Sequence, residues 1–477
     1  MNTLTLLSLP PGASAQPGTA SAPADYLLPE VDAASRPLAR AWLQLALAAL
    51  IGSGLFSVLL VLARTPGINR FLPAGDFFRV ALVVHVDLSV LVWFVAIAGM
   101  LWSLNRRPGA GRWVRMGDWA ALVLAAAGAC GMALAAFVEP GVPVMANYIP
   151  MLDSGVFQAA LVTFGLGAAL LVALGLARPA PVGAAVDGGG ALRFGLHASV
   201  VAAAVALLAF AWSLAVVPRE LPAKAYYEIL YWGGGHALQF TWTLLMLVGW
   251  LALAQACGTR VPLSPRLVLL MFAIALVSVF VTPLAYLMHD VSTVEHRDMH
   301  TWGMRFGGGV AIVPLVLAVG LAMLQRRRLE PAQRPLRAAL LASMLLFVAG
   351  GLIGLTISGS NVKIPAHYHG CIVGVTLALM GVVLHLLPRL GWRAPQGRLA
   401  VAQPWVYGVG QLLHIAGLVW SGGYGVQRKV AGSEQVLRSA AEVAGMGLMG
   451  LGGLLAIVGG LLFVVVVWRS MRGTDGR

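Results

Sequence analysis

Pro365-Ala366-His367-Tyr368-His369-Gly370 opens an apolar run from Cys371 to Leu387 and sets two imidazoles where a membrane helix would begin. Residues two apart on a helix point about 200° apart, from ~100° per residue. The pair therefore cannot close on one small site, but each ring can face a different neighbour. Ionisable groups inside a bilayer are costly unless partnered, and they mark function more often than architecture. Two readings stand at this point. The rings can be interfacial residues bonded to loops, or axial ligands of two haem irons on opposite sides of one helix.

Other histidines bear on that choice, and apolar runs must position them. Runs of about 20 apolar residues suffice to cross a bilayer. They fall roughly at 40–63, 77–104, 118–138, 154–177, 195–217, 226–256, 267–288, 302–324, 338–358, 365–387, 403–422 and 441–468. The sequence thus predicts an all-α, twelve-helix membrane domain over 39–470, a disordered N-terminal tail over 1–38 and a short cytoplasmic tail over 471–477. The chain is 59% hydrophobic and 10% charged, with mean hydropathy +0.85, which excludes a soluble domain.

The net charge of +14 implies no nucleic acid, because the basic residues sit in short loops and act as topology signals. Loops holding Arg106, Arg112, Arg178, Arg260, Arg326, Arg327, Arg328 and Arg389 are richer in positive charge than those holding Arg64, Arg219, Lys363 and Lys429. The richer set is expected in the cytoplasm, with both termini, so even-numbered helices run inward from the outer face of the inner membrane. His85, His236, His289, His367 and His369 then share the outer half of the bilayer. Scattered core histidines would not share one depth. His197 and His385 lie near inner ends, and His414 lies in the middle of the eleventh run.

This order of motifs resembles the catalytic subunit of the haem–copper oxidase superfamily, which includes oxygen reductases and nitric oxide reductases. The resemblance covers nearly the whole chain after the tail. It implies that His85 and His369 hold a low-spin haem and that His367 holds a high-spin haem. In Trp232-Gly-Gly-Gly-His236, it makes His236 a ligand of the metal facing that haem. It implies that Arg428-Lys429 hold haem propionates.

Three departures from the family pattern carry information. Where oxygen reductases place two adjacent histidines, the chain has His289-Asp290, so His289 and Asp290 are the expected partners of His236. His296 and His300 are the rival third ligands from a loop. A carboxylate is a harder donor than imidazole and suits iron better than Cu(I), although such a set can hold either. Phe240 stands four residues after His236, where many oxygen reductases carry a redox tyrosine. Tyr231 and Tyr286 are near in sequence, and one branch carries its tyrosine on helix 7, which keeps Tyr286 open. Finally, Phe306 to Leu324 contains no Ser, Thr, Lys, Asp or Glu to pass protons. Glu220, Glu228, Glu295 and Asp298 lie instead on the outer side, with Glu228, Glu295 and Asp298 as expected proton-delivery residues.

The expectation is a nitric oxide reductase with two haems, b-type, and one non-haem Fe or Cu. An oxygen reductase of the cytochrome c oxidase kind and a non-catalytic haem-binding membrane protein are its alternatives. The three cysteines, Cys130, Cys257 and Cys371, form neither a CxxCH haem motif nor a copper-centre pair. Electrons should therefore enter through a second subunit carrying a periplasmic copper or haem c domain.

Overall fold

The structure is a computed structural model that describes residues 25–68, 75–184, 186–358, 361–427 and 436–473. The propionate pair Arg428-Lys429 lies outside the described residues. Long helices follow the apolar runs: α1 (Arg36–Arg64), α2 (Gly75–Val86, continuing through Asp87–Val92 and Trp93–Leu104), α3 (Arg112–Val138), α4 (Gly155–Ala177), α5 (Gly188–Val216) and α6 (Ala223–Ala256). They continue with α7 (Pro265–Met288), α8 (Val294–Met323), α9 (Gln333–Gly354), α10 (Lys363–Leu386), α11 (Arg398–Gly423) and α12 (Ala440–Arg472). Among the described residues, eleven of these are long and apolar enough to cross a membrane. The exception, α11, carries Gln403, Gln411 and His414 among its apolar residues.

Two helices form the middle of the bundle. The most apolar stretch of α6 is 89% buried and that of α10 78%, against 28% for α1, α4 and α7, whose outer faces are free for lipid. The central pair touch each other, while α11 lies along α12, α9 along α10, α3 along α4 and α5 along α6. Small residues allow these approaches. A Cβ on Gly350 would run into the backbone of Gly370, and one on Gly128 into the backbone of α4.

Local chemistry explains the breaks. α7 pauses at Phe280, just before Thr282-Pro283. Proline lacks an amide hydrogen and is tolerated in the first turn of the helix that resumes there. α2 and α8 each contain a π-helical turn, at Asp87–Val92 and Gly303–Gly307, of the kind that re-aims side chains near functional sites.

Two features depart from the sequence expectation. α8 begins at Val294 rather than near 302, because Thr293 caps it by accepting from the His296 amide at 3.2 Å and Glu295 complements the helix dipole in the first turn. Part of the expected disordered tail is packed. Tyr26 is fully buried and donates to the Leu263 carbonyl at 2.8 Å. An aromatic side chain with a satisfied hydroxyl gains more from burial than a tail gains from freedom. Between α3 and α4, β1 (Val142–Val144) pairs antiparallel with β2 (Met151–Asp153) in a small hairpin that touches α2 and α6.

Candidate functional site

His85, His236, His296, His300, His367 and His369 all lie in the first four turns of α2, α6, α8 and α10, and alternation starts those helices at one end of the bundle. The hairpin β1–β2 lies at the same end. His367 and His369 diverge, as their spacing requires. His367 faces α9, where its Nδ1 donates to the Gly350 carbonyl at 2.8 Å. His369 faces α11, with its ring 4.8 Å from that of His414 and a hydrogen bond to the Gln411 side chain. His85 and Arg64 are the other neighbours of this group. His85 Nδ1 donates to the Ser53 carbonyl on α1 at 3.0 Å, and Ser53 Oγ donates to the His85 carbonyl at 3.2 Å.

On the opposite side of the central pair, three imidazoles meet. The His236 and His300 ring centroids are 5.7 Å apart, and those of His300 and His296 are 4.7 Å apart. All three residues are buried. His296 and His300 stand four apart on α8 and so share one helical face.

Each ring is tautomerically fixed, because a carbonyl can only accept. His236 Nδ1 donates to Trp232 at 2.8 Å, His296 Nδ1 to Ala285 at 3.3 Å and His300 Nδ1 to His296 at 2.8 Å. That leaves Nε2 of His236 and of His300 as an unprotonated ligand atom, the arrangement in which backbone partners orient metal-binding histidines, while the His296 ring also meets the His289 backbone. His300 Nε2 is buried without a hydrogen-bond partner among the described residues. Such an atom costs stability unless a ligand takes it. Among the described residues no three His, Cys, Asp or Glu side chains are already closed to metal-ligand geometry. The orphaned nitrogen and the three-imidazole donor set nevertheless fit a non-haem Fe or Cu ion.

His289 and Asp290 lie beside His296, whereas the histidine neighbours of His236 are His300 and His296. His289 is the half-buried cap residue of α7. Asp290 is exposed, and its carboxylate accepts from the Ser292 amide at 2.9 Å and from the Ser292 hydroxyl. These bonds hold its carboxyl below the ordinary range, Ser292 being the main cause. Asp290 thus turns the chain from α7 into α8, a familiar use of Asp. Glu295 and Asp298 are exposed in the first turns of α8.

Aromatic residues line the three-imidazole group. Tyr286 packs edge-on to His296 at 4.6 Å, with its hydroxyl 2.6 Å from Ser213 Oγ and donating to the Ala209 carbonyl at 3.2 Å. Tyr148, from the hairpin loop, has its hydroxyl 2.9 Å from Nδ1 and 3.0 Å from Nε2 of His236. Since the Nδ1 proton is given to Trp232, Nε2 is the acceptor of the Tyr148 O–H. Burial, above all, holds the Tyr148 phenol well above its ordinary range, so it remains a donor.

The three glycines before His236 admit these rings. A Cβ on Gly233 would strike the Tyr286 hydroxyl, one on Gly234 the ring of Phe210, and one on Gly235 the ring of Tyr148. Glu228 clamps the same loop, accepting from the Asn147 amide at 3.0 Å and from the Asn147 side chain. His296, His300 and Tyr148 are the residues sequence reasoning underweighted. The spacing of four was visible for the first two, whereas nothing local points to Tyr148.

Residues 38–462 match the family model described as cytochrome c and quinol oxidase polypeptide I. An uncharacterized protein of Rickettsia prowazekii is 28% identical, covering 91% of this chain and 96% of its own length. A second uncharacterized protein, from Aquifex aeolicus, is 27% identical over 75% of this chain and 86% of its own. Among solved structures, a haem–copper terminal oxidase dimer superposes with TM-score 0.69 at 16% identity, covering 94% of this chain and 86% of that one. That likeness establishes the fold.

Proposed function

The chain belongs to the cytochrome c and quinol oxidase polypeptide I family, and from that premise we propose that it is the catalytic subunit of a membrane terminal reductase that reduces O2. His85 and His369 would hold a low-spin haem, His367 a high-spin haem, and His236, His296 and His300 the non-haem metal. When bound, these groups would relay electrons and present two metals to one diatomic molecule. O2 with four electrons and four protons gives two waters.

The chain's own residues do the positioning. The backbone carbonyls of Ser53, Gly350, Trp232, Ala285 and His296 fix the imidazoles. Packed tyrosine rings limit water at the metal side. The observation that carries the preference for O2 is the third imidazole, His300, with its orphaned Nε2. An all-nitrogen set accommodates copper as readily as iron, and the Asp290 carboxylate, although a neighbour of His296, is engaged by Ser292.

The second reading is NO reduction, in which two NO, two electrons and two protons give N2O and water. The apolar stretch Phe306–Leu324 of α8 favours it, since it provides no side chains to carry protons from the Arg-rich end. Glu228, Glu295 and Asp298 would supply protons at the hairpin end in either case. Electrons would enter from a second subunit bearing a copper or haem c domain.

Purified complex, given an artificial electron donor, is expected to consume O2 rapidly and NO slowly. Rapid N2O formation with weak O2 uptake would reverse the assignment. Haem present without a second metal, and turnover on neither gas, would leave a non-catalytic haem protein.

A further inference from the structure

The helix-6 position that carries a redox tyrosine in many oxygen reductases is Phe240 here, yet a phenol reaches His236 from elsewhere. Tyr148 sits at the end of a hairpin, 88 residues from the imidazole it bonds. Its backbone is left-handed, with φ 53°, the only described non-glycine residue in that region. Such a conformation costs on the order of 1–3 kcal/mol and persists only where its surroundings over-determine it. Here they do. The Glu228 carboxylate grips Asn147 from α6, Trp232 packs edge-on against the Tyr148 ring at 5.9 Å, and Gly235 lacks the Cβ that would expel it. Tyr368, between the two α10 histidines, is a further neighbour. The hydroxyl therefore lies against the three-imidazole group, with α10 among the elements near it.

We propose that Tyr148 is a catalytic residue whose hydroxyl donates a hydrogen bond to the diatomic substrate bound between the two metals. The inference rests on the reductase reading above. The nitrogen that the O–H now holds, His236 Nε2, is the one a metal would take. Occupation of that nitrogen frees the donor for a new acceptor within one ligand's reach of the metal. Tyr286 is not equivalent, because its hydroxyl is committed to Ser213 and Ala209 on α5.

The test compares wild type, Tyr148→Phe and Tyr231→Phe holoenzymes, with carbon monoxide as the probe on the reduced protein. Tyr231 bonds the Met151 sulfur at 3.3 Å rather than a site histidine. All three proteins are expected to hold equal haem and equal second metal. The infrared band of bound CO should move in Tyr148→Phe alone, and turnover of that variant should fall roughly 100-fold, the usual cost of losing one aimed donor. An unmoved CO band with turnover intact would overturn the assignment. Loss of the second metal from Tyr148→Phe would also overturn it, reducing Tyr148 to a wall of the metal site. Wild type that itself lacks a second metal would fail at the reductase reading instead, before Tyr148 is in question.

Discussion

An imidazole has two nitrogens, and at six histidines of this chain one of them is already committed. His85, His236, His296, His300, His367 and His414 each direct Nδ1 to a backbone carbonyl. In each such ring Nε2 is the nitrogen left to accept a proton or bind a metal. Asp290→Ala is accordingly expected to retain the second metal and both haem spectra. His300→Ala should lose most of the second metal while keeping the haem bands, second-metal content per haem being the measurement. Loss of metal from Asp290→Ala with retention in His300→Ala would return the ligand role to the carboxylate. The divergence of His367 and His369 was legible because residues two apart on a helix must face different neighbours. His296 and His300 were legible only as a spacing, since Thr293–Asp298 is polar enough to read as loop. Tyr148 was not legible, because its partner is fixed by tertiary structure and its own neighbours in sequence carry no periodicity.

At the level of elements, apolar length located the helices, and glycine placement decided how closely they pack. α11 and α12 make the most intimate pair. A Cβ on Gly417 would collide with the Met449 backbone and one on Gly452 with that of His414, whereas Gly447 faces open space. Gly452→Ala is expected to cost about 1–3 kcal/mol by overpacking and to lower the thermal midpoint in detergent. Gly447→Ala should leave it unchanged or slightly raised. Equal behaviour of the two would mean that the helices part easily. The start of α8 was misplaced in the sequence because hydropathy sees only the apolar part of a helix. Its first two turns are polar, and those turns carry His296 and His300. Elements that end in function are often the ones whose composition departs from their class.

Across the whole molecule, the candidate site gathers at one end and most of the loop arginines at the other, with an apolar stretch of α8 between them. Turnover in sealed vesicles is expected to drive no proton ejection across the membrane, followed with a pH-sensitive dye. Net ejection would require a route that the side chains of Phe306–Leu324 do not supply. The N-terminal segment meets the Arg-rich end in three places. Gln255 donates to the Asp25 carboxylate, Tyr26 donates to the Leu263 carbonyl, and Arg389 donates to the Leu28 carbonyl. These contacts span 230, 237 and 361 residues of chain. In the order of synthesis, residues 25–28 therefore await partners made much later. Their final partner leaves the ribosome only after α10, with His367 and His369, has been made. A nascent chain that stops short of Arg389 holds residues 25–28 by two of these three contacts, so the segment tightens only as the last helices are added.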